Sequence, residues 1–543
     1  RCAASGAGAP AAEAASAASL PDFQDARLAF ESKSTLELAR AWAVFMTCKV
    51  GFVVRNCDSL YGLARRIVGP TLTHAVLRLT FFNHFCAGET TEQIVPKMED
   101  LRRYGIGGIL DYAAEAKEDA APKAAAADCE ASTVGAPLSS RTYDYQGEAI
   151  CDANAEIFLQ AIRAVRDASP DGFAAIKLSG LGDPALFERM SICLEEMCRL
   201  FKRLSDGTEE VGPRVPYHCI DRSFKLDVDT FSEGWRRLFS AGSDDEVRAA
   251  FDKLDADGCG YITYLDWSES VKLSEITRLV QSCVSEGPMK RAALTEEELK
   301  LYMNMVGRVI RIMDLAQELG VRVMVDAEWM DIQPAIDHMV LFLQRKYNAG
   351  DRPVVFNTYQ TYLKGMRDKA GRDLERSRRE GWRFGAKVVR GAYMVSEREK
   401  ARKRGVESPI CEDYAATEEN FHAVIDAILE HSAACGPKAA AEVLVASHNR
   451  GSVEHTLRRC AELGIDRGNV YFGQLLGMAD NLTFTLGKNG YKAYKYVPYG
   501  PIAEVMPYLI RRTQENSAIL GSASVQEERA MIARELRRRV LRF

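Results

Sequence analysis

Short, near-continuous apolar runs recur along this chain, most of them separated by stretches of helical periodicity. They span residues 107–112, 173–179, 321–328, 354–360, 385–393, 442–449, 470–476 and, more weakly, 493–497. A strand buried on both faces reads this way, because helices cover a parallel sheet on each side. Eight such strands with crossover helices predict an α/β fold, a (β/α)8 TIM-like barrel. Strand counting leaves an open doubly wound sheet as the alternative. Asp111, Lys177, Asp326, Gln360, Arg390, His448 and Tyr496 sit at or near the C-terminal ends of the runs. Any strand ends in polar residues where it meets a loop. Seven of mixed chemistry, at the end where barrels carry their active sites, favour a converging site.

Composition sets outer bounds. The chain has 543 residues, 47% apolar and 27% charged, enough to bury a large core. A net charge of −5 argues against a general nucleic-acid binder, so no nucleic-acid partner is expected. No run reaches the roughly 18 apolar residues of a membrane span. The nearest, 41–54, is interrupted by Lys49 and flanked by Arg40 and Arg55, and is expected to pack against the barrel. The 14 cysteines form no CxxC pair, which suits a reducing compartment and buried thiols. The eight histidines form neither HExxH nor a zinc spacing.

The expected organisation starts with residues 1–22 as a disordered tail or the remnant of a transit peptide. An N-terminal helical segment follows over 23–105, then the first part of the barrel over 106–205, with an Ala-rich mobile loop at 116–140. Residues 206–290 form an insertion, and 291–543 complete the barrel and end in a final helix and tail.

The insertion carries a calcium-loop spacing at 255–266. Asp255, Asp257 and Asp266 stand at positions 1, 3 and 12, Gly260 at 6, Ile262 at 8, and Tyr261 at 7, where a backbone carbonyl serves as ligand. Cys259 at position 5 is a poor ligand for a hard cation, and Asp266 is shorter than the usual bidentate Glu. Both changes lower Ca²⁺ affinity or tilt it toward Mg²⁺. Counting back 36 residues from Asp255 reaches Cys219, which puts Leu226 at position 8 of an earlier, degenerate loop. A helical EF-hand pair is therefore expected, about 211–240 and 244–274, with the first hand unable to bind metal.

Near the C-terminus, 501–517 reads as a helix with Pro501 suited to its first turn. It carries Arg511 and Arg512, with Glu515 one turn on and able to brace either. Adjacent guanidiniums suit a substrate carboxylate. Taken alone, an Arg-Arg pair is more often a solvated face.

These residues bring in a resemblance. The stretches Gly107-Gly108-Ile109-Leu110-Asp111-Tyr112, Val325-Asp326-Ala327-Glu328, Phe356-Asn357-Thr358-Tyr359-Gln360, Val389-Arg390-Gly391-Ala392-Tyr393, Ala446-Ser447-His448-Asn449, Phe472-Gly473-Gln474-Leu475-Leu476-Gly477-Met478, Tyr496-Val497-Pro498-Tyr499-Gly500 and Tyr508-Leu509-Ile510-Arg511-Arg512-Thr513-Gln514-Glu515-Asn516 follow one another in order. Together they resemble the proline dehydrogenase (proline oxidase) family, in its mitochondrial eukaryotic type. No G-x-G-x-x-G fingerprint follows a strand, which agrees with a flavin held by a barrel.

The resemblance implies a distorted barrel with FAD over the strand ends and the final helix closing the mouth. It implies oxidation of L-proline to Δ1-pyrroline-5-carboxylate by hydride transfer to the flavin N5. The electrons would pass to a ubiquinone-type acceptor, from a peripheral site on the matrix side of the mitochondrial inner membrane. Carried over by position, Arg511, Arg512 and Lys177 would face the proline carboxylate, and Asp326 would orient these charges. Tyr393, Leu475 and Tyr496 would wall the ring, and Glu115 would latch Arg511. Gln360, Lys387, Arg390, Gly391, His448 and Glu515 match flavin-contacting positions. Lys387 stands where bacterial relatives carry Arg. No general base stands out, so the amine proton is expected to go to water. Tyr496 favours proline over hydroxyproline, the alternative substrate. A calcium-binding scaffold on an inactive barrel is the reading from another class, and Lys177, Asp326, Arg511 and Arg512, all present, argue against it.

Overall fold

Eight parallel strands close on themselves in the computed structural model. It describes residues 20–113, 147–206, 223–239, 243–270, 294–436, 441–519 and 523–541. The barrel strands are β1 (Ile106–Tyr112), β2 (Phe173–Ile176), β5 (Arg322–Val325), β6 (Val355–Gln360), β7 (Gly385–Val389), β8 (Glu442–Ala446), β9 (Val470–Leu475) and β10 (Lys492–Tyr499). β3 (Lys225–Asp227) and β4 (Tyr261–Thr263) form a separate two-stranded sheet. The barrel order is β1-β10-β9-β8-β7-β6-β5-β2, and β10 returns to β1 in a register running from Ile106↔Ala493 to Tyr112↔Tyr499. Closure removes the open-sheet alternative.

Several strands stop short of their expected ends. β2 gives way at Lys177 to a tight turn, Leu178–Gly180. Asp326 and Glu328 leave β5, and Arg390 to Tyr393 leave β7. An apolar run does not mark where a strand quits its ladder, and the residues that quit it are those that line the mouth. The insertion sits between β2 and β5. Its helices Val228–Leu238, Asp244–Leu254 and Tyr264–Ser270 pack through Phe231, Phe251 and Trp267 onto Phe201 and Leu204 of the crossover helix Pro184–Asp206.

The N-terminal end of the barrel is filled. The Arg322 guanidinium lies 4.0 Å from the Phe173 ring centre and 4.7 Å from that of Tyr471. Tyr471 donates to Glu442 at 2.6 Å, and Arg322 reaches the same carboxylate at 3.4 Å. Phe356 and Tyr494 complete this layer.

Two carboxylates, Asp480 and Glu528, tie the N-terminal segment and the helix Ala523–Leu541 to the barrel. Asp480, at the start of helix Asp480–Lys488, meets Lys495 of β10 at 2.8 Å and Lys33 of the N-terminal segment at 2.7 Å. Glu528, in the helix Ala523–Leu541, accepts the Ala479 and Asp480 N–H groups at 3.0 and 2.7 Å. Burial alone would raise the Asp480 pKa, but the two ammonium groups hold it far below the carboxylate range. Removing one partner of a buried pair costs about 3–5 kcal/mol. Asp480→Asn is expected to lose about that much in thermal or urea unfolding. Breaking the exposed Arg402–Glu399 pair should leave the unfolding midpoint nearly unchanged.

Candidate active site at the barrel mouth

Strand period explains which side chains meet at the mouth. Successive residues of a strand face opposite sides, so a residue two positions beyond an inward one points inward again. Ile109, Ala175, Met324, Ala446 and Tyr494 line the barrel interior. Two positions on stand Asp111, Lys177, Asp326, His448 and Tyr496.

Asp326 is the hub. Lys387 of β7 donates to its Oδ1 at 2.6 Å, and the Tyr496 hydroxyl to its Oδ2 at 2.8 Å. Lys177 lies 3.9 Å from Oδ2 and donates to Asp111 at 3.4 Å. The Lys387 ammonium also stands 5.2 Å from the centre of the Tyr496 ring. Both lysines and Asp111 are buried. Burial would raise the Asp326 pKa, but Lys387 and Lys177 outweigh it and hold the carboxyl below its ordinary value. The result is a compensated cluster of two cations and two carboxyl side chains drawn from separate strand ends.

The helix Met506–Ile519 brings Arg511 and Arg512 to this end. It begins later than expected. Pro501 heads a turn in which Glu504 and Val505 bond back to its carbonyl, and Pro507 occupies the first helical turn instead. Tyr508 and Leu509 pack with Phe82, Phe85 and Met478. Arg512 is buried, donates to Glu515 at 2.6 Å and stands 5.0 Å from the Tyr508 ring centre. Arg511 is half-buried beside it. His448 feels the charges of Arg512 and Glu515 of this helix. Burial, helped by Lys495, lowers the His448 pKa to about 3, so the ring is neutral. Its Nε2 accepts the Leu475 N–H at 3.0 Å.

Arg390 donates to the hydroxyls of Ser447 at 2.8 Å and Ser452 at 2.9 Å, while its buried Nε has no partner among the described residues. Gln360 donates to the Glu328 carbonyl at 2.9 Å. Tyr393 is buried at the head of the helix Met394–Arg404. Gly391 has φ +135°, and a Cβ there would lie 1.4 Å from the Tyr362 ring, so close packing requires the glycine. Glu115 and the 116–140 loop lie outside the described residues.

The expected metal residues come together only in part. β3 and β4 pair in the expected register, Leu226 opposite Ile262. Asp255, Asp257 and Cys259 converge, with their ligand atoms within 4.8 Å of one another. Tyr261 begins β4. Asp266 is engaged elsewhere, accepting the Thr263 N–H at 2.7 Å and pairing with Arg379 of the barrel helix Met366–Glu380 at 3.3 Å.

Sequence reasoning gave Glu328 no role. It is fully buried, accepts the Ser179 N–H at 3.1 Å, and its Oε2 has no partner among the described residues. Burial pushes its pKa up to about 7. Only its place two residues beyond Asp326 signalled it. A raised carboxyl pKa means the folded state keeps a proton that the unfolded chain has released. Stability should therefore fall as pH rises from about 4.5 to 7. Glu328→Gln removes that dependence. Relative to wild type it is expected to gain up to about 3 kcal/mol above pH 7 and little at pH 4, read from thermal unfolding across pH.

With this geometry in place, comparisons with known proteins become specific. The proline dehydrogenase family model matches residues 237–524. Mitochondrial proline dehydrogenase 1 of Homo sapiens is 38% identical over 554 residues, which cover 96% of this chain and 90% of the relative. The Caenorhabditis elegans protein of the same name is 35% identical, with 95% and 88% covered. Human hydroxyproline dehydrogenase is 31% identical, with 94% and 92% covered. Among solved structures, proline utilization A from Bdellovibrio bacteriovorus, inactivated by N-propargylglycine, aligns with TM-score 0.51 at 15% identity. That alignment covers 96% of this chain and 40% of the longer protein, and at this identity it speaks for the fold alone. A family model over more than half the chain, and near-full-length relatives above 30% identity, lead to one conclusion: the chain belongs to the proline dehydrogenase family.

Proposed function

We propose that this enzyme oxidises L-proline to Δ1-pyrroline-5-carboxylate with FAD over the barrel mouth. In this reading it delivers the electrons to a ubiquinone-type acceptor from the matrix side of the mitochondrial inner membrane. The observation that carries the reading is the buried Asp326–Lys387–Lys177–Tyr496 cluster, with an arginine-bearing helix against it.

Arg511, Arg512 and Lys177 supply cationic donors for the carboxylate of proline. Asp326 keeps Lys177, Lys387 and Tyr496 in register, and Tyr393, Leu475 and Tyr496 give the pyrrolidine ring apolar walls. The donor set fits a flavin: Arg390 with its unpartnered Nε, Lys387, Gln360, neutral His448 and Glu515 would hold it, beside the backbone of Gly391. The chemistry FAD supplies when bound is acceptance of the hydride from the ring carbon next to nitrogen. The amine proton leaves to water. Tyr496, fixed by its hydrogen bond to Asp326, occupies the space a ring hydroxyl would need, which favours proline over hydroxyproline.

The insertion is read as a paired EF-hand module with a packing role, supported by its β3–β4 pairing and its buried aromatic core. Ca²⁺ or Mg²⁺ at Asp255 and Asp257 would have to draw Asp266 away from Arg379. Calorimetric Ca²⁺ titration of the full chain is expected to show weak binding, with Kd of about 10⁻⁴ M or higher. Micromolar binding would reject this reading.

Anaerobic addition of L-proline to the flavin-loaded protein should bleach the flavin absorbance. If only hydroxyproline bleaches it, the substrate assignment fails. Arg512→Lys keeps the charge but loses the fork. It is expected to raise the KM for proline about ten- to hundredfold at unchanged flavin content.

A further inference from the structure

The N-terminal helices Thr35–Cys48, Gly51–Arg55, Cys57–Ile67 and Gly69–Leu77 have two unlike faces. The inner face is packed. Val44, Cys48 and Phe82 join Tyr508 and Leu509 in one core, with Tyr61 and Leu77 against it. The outer face is apolar and exposed. Among the described residues, twelve large apolar side chains are more than half exposed, and seven of them fall within 36–79: Leu36, Phe52, Leu63, Ile67, Leu72, Val76 and Leu79. Helix Cys57–Ile67 has no buried residue at all. Leu63 and Ile67 share one helix face, as do Leu72, Val76 and Leu79. A groove lined by Leu36, Ala43, Leu79 and Phe81 joins the first helix to the last part of this segment. Single exposed leucines are ordinary, whereas a concentration of this kind marks an interaction surface.

Charge selects the occupant. Residues 35–82 hold Arg40, Lys49, Arg55, Arg65, Arg66 and Arg78 against only Glu37 and Asp58, in a chain whose net charge is −5. Lys49, Arg55, Arg65 and Arg66 are exposed beside the apolar residues. Interleaved cations and large apolar groups fit a surface that is anionic outside and apolar just beneath. No helix of the described residues is long and apolar enough to cross a membrane. We infer that the outer face of residues 36–79 is a docking surface that lies in the headgroup region of an anionic lipid bilayer.

Its position suits the proposed function, on which the inference rests for a purpose but not for its test. Helices Thr35–Cys48 and Gly51–Arg55 pack directly on Met506–Ile519, the helix that carries Arg511 and Arg512. A docked bilayer would therefore face the helix beside the barrel mouth. An acceptor dissolved in lipid would have the shortest approach there.

The experiment is flotation of the full-length chain with phosphatidylcholine vesicles, with and without phosphatidylglycerol. Wild type should float with the anionic vesicles, less in high salt, and less with phosphatidylcholine alone. Leu63→Ser with Ile67→Ser should lower partitioning at least about tenfold. Arg65→Gln with Arg66→Gln should lower it on anionic vesicles and not on neutral ones. Proline-dependent reduction of a water-soluble dye should be unchanged in both variants. Flotation needs neither proline nor flavin, so failure of the docking surface and failure of the catalytic reading are separable. Wild type that stays with the bulk, or variants that float equally well, would overturn the inference. So would a wild-type dimer in gel filtration that the Leu63/Ile67 variant breaks, because a second copy would then cover the face.

Discussion

A carboxylate that stays ionised while nearly out of water fixes the geometry at the barrel mouth. Removing a carboxylate from water carries a penalty of several kcal/mol unless opposite charge and hydrogen bonds compensate it. Asp326 is compensated by groups that no local segment could provide. Lys387 comes from β7, Lys177 from the end of β2, and Tyr496 from β10. The compensation is complete only when the barrel is closed, because β10 must return to β1 before Tyr496 can reach β5. The cluster and the closed sheet therefore depend on each other. Two ammonium groups side by side would repel one another without the carboxylate between them, so Asp326 also keeps Lys177 and Lys387 together at the mouth.

The barrel was legible because it rests on a local signal repeated many times. Near-continuous apolar runs mark strands covered on both sides, and a residue type two positions beyond an interior residue marks what faces the mouth. Asp111, Lys177, Asp326, His448 and Tyr496 stand at or near the ends of those runs, and the strand period explains why they meet once the barrel interior is known. What failed was local in another way. The ladder ends at Ile176 and Val389 while the apolar or family pattern runs on, because hydrogen bonding and not hydropathy decides where a strand stops. Pro507 rather than Pro501 heads the helix Met506–Ile519, since either proline suits a first turn and only the packing of Tyr508 and Leu509 chooses between them. Glu328 stands within a motif, but its full burial depends on Ser179 and Gln360 from other strand ends, which no local pattern contains. At Gly391 the Tyr362 ring by itself demands a glycine, a contact between segments that no local pattern announces.

The insertion separates spacing from environment. The spacing of 255–266 fixes a tight turn, and it correctly aligns Leu226 with Ile262 across two short strands. It contains no information about Arg379, more than a hundred residues away, which pairs with the carboxylate at the last ligand position. A neighbouring contact makes the same connection twice, since Arg376 of the same helix donates to Ser268 at 2.8 Å. These contacts tie the exit helix of the module to the barrel. Any cation in the loop would compete with Arg379 for Asp266, because one carboxylate cannot serve both at full strength.

The N-terminal helices show why a hydrophobic segment can be read two ways at once. The 41–54 run was expected to pack against the barrel, and Val44, Cys48 and Val54 are indeed buried. Trp42, Met46, Val50 and Phe52 of the same run face outward. A helix has only one face to give to a core, so a segment apolar all round must meet a second apolar phase or leave that surface in water. The inner face is consumed by the helix that carries Arg511 and Arg512. The outer face, studded with arginines and almost free of acids, is left facing away from the protein. The same helices that bury one side of the candidate active site thus present its apolar exterior, and a bilayer met through that face would lie at the point nearest the candidate chemistry.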